Sequence, residues 1–209
     1  TVLGGALLWF GWFGFNAGSA LAANGLAVCT FVTTNAAAAA AGITWALFEW
    51  KLSGRPTTFG IITGSIAGLA TVTPASGFVS PMAGVAIGAL AGAVCFMAVG
   101  RMKPFFGYDD SLDAFGVHGV GGILGTLLTG LFASKLINSA GSNGAFFGNL
   151  YQLGIQSVGV LATAAYSLVV TYLIYKFLDW TIGVRVSEDE EYMGLDLTQH
   201  REAGYTLLE

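Results

Sequence analysis

The sequence predicts an all-α, polytopic membrane protein, and three observations carry that prediction. Hydrophobic residues make up 55% of the 209 and charged residues only 10%, where a soluble domain carries roughly 25% charged. The charges are clustered, and the apolar stretches between them run to about 20 residues or more, the length of helix that crosses a hydrocarbon core of about 30 Å. None of these stretches shows the alternation over about ten residues that a transmembrane strand requires.

Six spans are expected, over residues 1–22, 25–50, 58–75, 80–102, 112–134 and 149–183, followed by a tail over 184–209. Thr1 opens directly into the first, with no initiator Met and no charged leader, so the chain is expected to begin part-way through a longer protein. The second closes on Lys51 to Pro56, and the third on Thr73-Pro74. The fourth lies between Pro81 and Arg101, the fifth between Asp110 and Lys135, and polar residues from Asn138 to Asn143 precede the sixth. If the first span runs outward, the inner side collects Lys51, Arg55, Arg101, Lys103, Lys176 and Arg185, and the outer side only Lys135. That asymmetry places the tail in the cytoplasm; a plasma or inner membrane is the expected location.

Glycine recurs every four residues in these spans, at Gly14 and Gly18, Gly60, Gly64 and Gly68, Gly84, Gly88 and Gly92, and Gly121 and Gly125. A glycine costs about 1 kcal/mol against alanine in a helix, and in a bilayer such ladders let helix backbones approach closely. Close packing accounts for most of them, as it does for the run Ala36 to Ala41. Function is therefore sought among the span residues that are neither small nor apolar.

His118 is the one histidine inside a span, in DAFGVHGVGGILG. An ionisable group at membrane depth marks a pathway by default, although a neutral ring bonded between helices satisfies the same position. A dry span accommodates the neutral imidazole, which both donates and accepts. Gly121, Gly122 and Gly125 follow on its helical face and are expected to leave space beside the ring. In the first span, Leu8, Trp12, Phe15 and Ser19 share one face. This orders a hydroxyl and then an aromatic ring along one wall. A hydroxyl accepts a hydrogen bond from a cation, and a desolvated ring face attracts one by about 1–2 kcal/mol. Asn16 reads as an interhelical hydrogen bonder. Asp109, Asp110 and Asp113 stand where carboxylates cap a helix, and Lys176 and Asp179 are spaced to pair.

Other function classes find little support. No basic patch with aromatics points to nucleic acid, and the two cysteines, Cys29 and Cys95, sit inside spans as small buried thiols. A lone intramembrane histidine without a ligand cluster argues against a metal, a haem or another cofactor, and against an enzyme.

The segments GWFGFNAGSA, GSIAGLATVTPASG, DAFGVHGVGG and GLDLTQH, in this order, resemble the second half of the ammonium transporter (Amt/Mep/Rh) family, from Thr1 to about Tyr205. The resemblance implies helices six to eleven of an eleven-helix, inverted-repeat fold, assembled as homotrimers with a pore through each subunit. It implies that Phe15 is the second of two stacked gating phenylalanines and that Ser19 belongs to an external ammonium-recruitment site. Trp12 would line the pore, His118 would be the second of a histidine pair, and Asp113 would match an acidic position at the start of that helix; a place at the cytoplasmic exit is the alternative to capping for Asp113 and Asp110. The first gating phenylalanine, a vestibule tryptophan, an ion-coordinating aspartate and the first histidine would come from the absent N-terminal half. Gly194, Asp196, His200, Glu202 and Tyr205 match a regulatory tail that contacts a PII-type signalling protein, with Arg201 where the family usually has glycine. The implied function is ammonium or ammonia transport across the lipid bilayer, with an ammonium sensor signalling through its tail as the alternative.

Overall fold

Most helix ends are written in the local sequence. In the computed structural model, which describes residues 1–203, α1 spans Val2–Gly18. Asn24 accepts a hydrogen bond from the Ala27 amide at 3.0 Å and starts α2 (Gly25–Ser53), which stops at Gly54, φ 78°. Glycine ends helices this way because the left-handed region carries no Cβ penalty for it. Thr57 caps α3 (Thr58–Val72) through the Gly60 amide at 2.9 Å. Ser80 caps α4 (Pro81–Met97), whose first turn holds a proline where no intrahelical N–H is needed.

α4 runs on through a π-helical stretch, Ala98–Met102, into α5 (Lys103–Phe106). A second π-helical stretch, Phe115–Gly119, leads into α6 (Val120–Phe132). α7 (Leu150–Thr181) and the short α8 (Glu188–Met193) follow, and no strand occurs among the described residues. Four helical segments are long and apolar enough to cross a membrane: Gly25–Ser53, Pro81–Phe106, Phe115–Phe132 and Leu150–Thr181. α3 is apolar and shorter, 15 residues, because the chain turns after Val72, where the Ala75 amide bonds back to the Val72 carbonyl at 2.9 Å.

The chain divides into two compact units, Thr1–Val160 and the residues from Leu161 on. In the first, α2 is the central post. Its Ala37 and Ala41 are fully buried, and the glycines of α3 and α4 lie directly on them. A Cβ added at Gly68 would stand 2.6 Å from the Ala37 carbonyl oxygen, and one at Gly92 2.5 Å from that of Ala41. At Gly88 it would run into Ala37 O itself. The four-residue glycine ladders therefore let backbone touch backbone, a contact any side chain would block. Gly14 and Gly18 depart from the expected pattern, since nothing in the chain lies within 4 Å of a Cβ at either position.

Polar side chains brace the end of α2. Glu49 accepts from the Thr57 amide at 2.7 Å and from the Trp45 indole at 3.3 Å, so one carboxylate ties the turn before α3 to the last coils of α2.

In the second unit, the α7 segment has no buried residue. Lys176 does not pair with Asp179 but lies 6.0 Å from the centroid of the Tyr172 ring, one turn back along the helix. The tail is not a plain extension. Ser187 and Glu190 form a capping box that starts α8, and the Gln199 amide donates to Glu190 at 3.0 Å. The two bonds from Ser187, backbone and hydroxyl, hold the Glu190 carboxyl below its ordinary range.

Candidate functional site

One face of α1 and one turn of the His118 segment come together. Trp12 and His118 stack with interplanar angle 3° and ring centroids 6.3 Å apart. Phe15 meets Trp12 edge-on, its ring 6.3 Å from the Trp12 ring at 82°. The 3.6-residue repeat makes Trp12 and Phe15 neighbours on α1; the packing of α1 and α6 on α3 brings His118 to them.

His118 owes its position to the π-helical stretch. A π turn adds a residue to the helical repeat and re-aims the side chains it carries. Gly116 and Val117 are buried, Gly116 against Val99, while His118 is exposed. The glycines that follow do not all open space beside the ring, as the sequence implied. Gly121 packs on the Thr71 hydroxyl, 2.7 Å from a would-be Cβ, and Gly125 on the Thr71 carbonyl. Only Gly122, with nothing within 4 Å, leaves room. Gly121 and Gly125 serve the α3 contact instead.

Two carboxylates set the start of this segment. Asp110 accepts from the Ala114 and Phe115 amides, both at 2.9 Å, which makes it the cap. Asp113 acts differently. It bonds Lys103 Nζ at 2.7 Å and occupies a left-handed backbone, φ 56°. Lys103 also donates to the Asp110 carbonyl at 2.6 Å, so one ammonium joins the end of α4–α5 to the turn before His118. Sequence reading missed Lys103 here because its role in setting orientation hid a ten-residue contact.

Beyond the Trp12 ring, Phe15 and Ser19 line a cavity of about 280 Å³ with Asn16, Thr30, Thr73 and Ser76. Ser19 Oγ donates to the Phe15 carbonyl at 2.6 Å. Its one proton is thereby committed, and what remains of the hydroxyl is acceptor. Asn16 is buried and donates to Thr34 Oγ1 at 3.1 Å, the interhelical bond its place in the sequence suggested. The site thus offers an oxygen acceptor and two aromatic rings, then an imidazole. Such a set suits a small species that donates hydrogen bonds and carries positive charge. No group of three or more His, Cys, Asp or Glu side chains among the described residues is placed to hold a metal.

The tail residues lie apart from this set in the chain and form a local turn. Gly194 has φ 97°, and the Glu202 amide donates to the Asp196 carbonyl at 2.9 Å around the stretch Asp196–His200. Arg201 takes the left-handed conformation, φ 58°, the geometry glycine adopts most easily. Tyr205 lies outside the described residues.

The model of the Ammonium Transporter Family matches residues 1–205. An ammonium transporter of Bacillus subtilis (strain 168) is 50% identical over 205 residues, covering 98% of this chain and 51% of the relative. The ammonium transporter Amt1 of Archaeoglobus fulgidus is 48% identical over 207 residues, 99% of this chain and 52% of the relative. The chain therefore spans about half the length of the curated relatives it matches. Among solved structures, Saccharomyces cerevisiae Mep2 aligns with TM-score 0.86 and 38% identity, over 90% of this chain and 43% of that one. A structure described as a sensor Amt protein aligns with TM-score 0.86 and 35% identity, over 95% of this chain and 48% of that one. The curated relatives are named for transport, not for an enzymatic reaction. With a family match over nearly all of its length and a helical fold shared with solved members, this polytopic membrane chain belongs to the ammonium transporter family.

Proposed function

We propose that this chain supplies one wall of a conduction path for ammonium or ammonia, within a protein about twice its length. The observation that carries the reading is the parallel pairing of Trp12 with His118, which joins the face of α1 to the intramembrane imidazole. A bare cation taken into an apolar channel costs many kcal/mol. Recruitment accordingly falls to Ser19, an acceptor, and to the ring faces of Trp12 and Phe15. Phe15, 64% exposed in this chain, acts as the gate on the way inward. Ammonium gives up its proton near that ring, and the neutral species passes His118, which pairs with a second histidine from the other half of the protein. Asp113 and Asp110 mark the cytoplasmic exit. The protein works as a homotrimer in a plasma or inner membrane with its C-terminus in the cytoplasm, where Gly194, Asp196, His200, Glu202 and Tyr205 serve a regulatory tail for a PII-type partner.

Flux of ammonium and potassium through the full-length protein in liposomes, with and without His118→Ala, tests the route. Altered rate or selectivity is expected, and unchanged transport removes His118 from it. The likeness to a sensor Amt protein favours one second reading, an ammonium sensor that signals through its tail. A sensor binds ammonium without passing methylammonium, so the same liposomes separate the two.

A further inference from the structure

We infer that Thr73 is a positioning residue for this site: it fixes the plane of the Trp12 indole and so holds Trp12 parallel to His118. The inference rests on the conduction path proposed above and adds to it a residue outside the aromatic–histidine set.

Thr73 Oγ1 donates to the Leu69 carbonyl at 2.7 Å. A threonine hydroxyl has one proton and two lone pairs, so the oxygen meeting the Trp12 indole can only accept. Trp12 Nε1 donates to it at 2.8 Å, a contact between residues 61 apart. The χ2 torsion of a tryptophan is broad, and aromatic packing by itself leaves the ring free to swing. A single acceptor of fixed direction removes that freedom. The orientation it selects is the one with the indole 3° from the His118 plane and 82° from that of Phe15. Thr73 also lines the 280 Å³ cavity with Phe15 and Ser19, so it touches the recruitment side while steering the ring on the imidazole side. Its own placement is secure, because it closes the last turn of α3 and its carbonyl accepts from Ser76 Oγ at 3.3 Å.

The test uses the full-length protein in liposomes and compares Thr73→Val, Thr73→Ala and Thr73→Ser with wild type. Maximal ammonium flux is read together with the ultraviolet resonance Raman band that reports indole N–H hydrogen bonding. The Trp12→Phe protein isolates the Trp12 contribution by difference. Losing the acceptor is expected to lower flux about fivefold in both Val and Ala, from a hydrogen bond of about 1 kcal/mol, and to shift the Trp12 band to its unbonded position. Serine, which keeps the oxygen, restores both. In the Trp12→Phe background, Thr73→Val is expected to have no further effect, the non-additivity of a pair that acts as one unit. Undiminished flux with a shifted Trp12 band overturns the role of Thr73 alone, as does an equal loss in Ser and Val. Absence of ammonium flux in wild type overturns the conduction reading itself, while the Raman band still reads the Thr73–Trp12 bond.

Discussion

Lys103 and Asp113, ten residues apart in the chain, meet at 2.7 Å and tie the end of one membrane helix to the turn that launches the His118 segment. Asp113 adopts φ 56°, a region aspartate and asparagine tolerate and β-branched residues avoid. Lys103→Met is expected to lower the thermal midpoint in detergent, and Asp113→Val to lower it further by adding backbone conflict. Asp110→Ala removes the cap on the Ala114 and Phe115 amides and is expected to cost about 1 kcal/mol. Equal midpoints for all three variants and wild type would show that the turn is held by something else.

Gly88 and Gly125 should not accept even a methyl group. A Cβ at the first meets the Ala37 carbonyl and at the second the Thr71 carbonyl, and a backbone oxygen inside a packed bundle has nowhere to move. Gly88→Ala and Gly125→Ala are each expected to destabilise by about 1–3 kcal/mol. Gly159→Ala, on α7 with nothing within 4 Å, should leave stability unchanged or slightly raised. Thermal unfolding of the purified variants makes the comparison.

Ser19 is expected to govern apparent affinity more than maximal rate. Its oxygen lines the cavity while its proton is held by Phe15 O. A hydrogen bond to a charged group contributes about 1.5–3 kcal/mol, so Ser19→Ala should raise the half-saturating ammonium concentration about tenfold or more, with a smaller change in maximal flux. A fall in maximal flux at constant half-saturation would assign Ser19 to the gate instead.

The tail should respond to acid through one carboxylate. Glu190 titrates below its ordinary range because Ser187 donates to its ionised form. A depressed native value means the capping box contributes in full above the ordinary range of a glutamate, about pH 4.5, and is lost as pH falls through the native value. Backbone chemical shifts of residues 188–193 should report fraying of α8 in that acid window, and Glu190→Gln should remove the transition. Loss of α8 at neutral pH, or indifference to acid, would contradict this.

Arg201 offers a complementary gain. Its left-handed backbone, φ 58°, carries a Cβ penalty of about 1–2 kcal/mol that glycine avoids. Arg201→Gly is therefore expected to slow amide exchange across Asp196–His200. Faster exchange would mean that the arginine side chain anchors this turn.

Much of this protein is legible along a single dimension. Apolar length and charge clustering determine membrane helices. The α-helical repeat places Trp12, Phe15 and Ser19 on one wall, and Thr57 and Ser80 write the caps of α3 and α4. Short-range geometry suffices for each of these, because every contact lies within one helix or one turn. The tertiary structure alone decided which glycines are filled by a neighbouring helix, Gly121 and Gly125, and which, Gly122, stays open beside His118. It also chose the partners: Thr73 for Trp12 and Lys103 for Asp113. A hydrogen bond between residues 61 apart depends on how whole helices cross, and crossing is set by the summed fit of many small side chains, which no local pattern records.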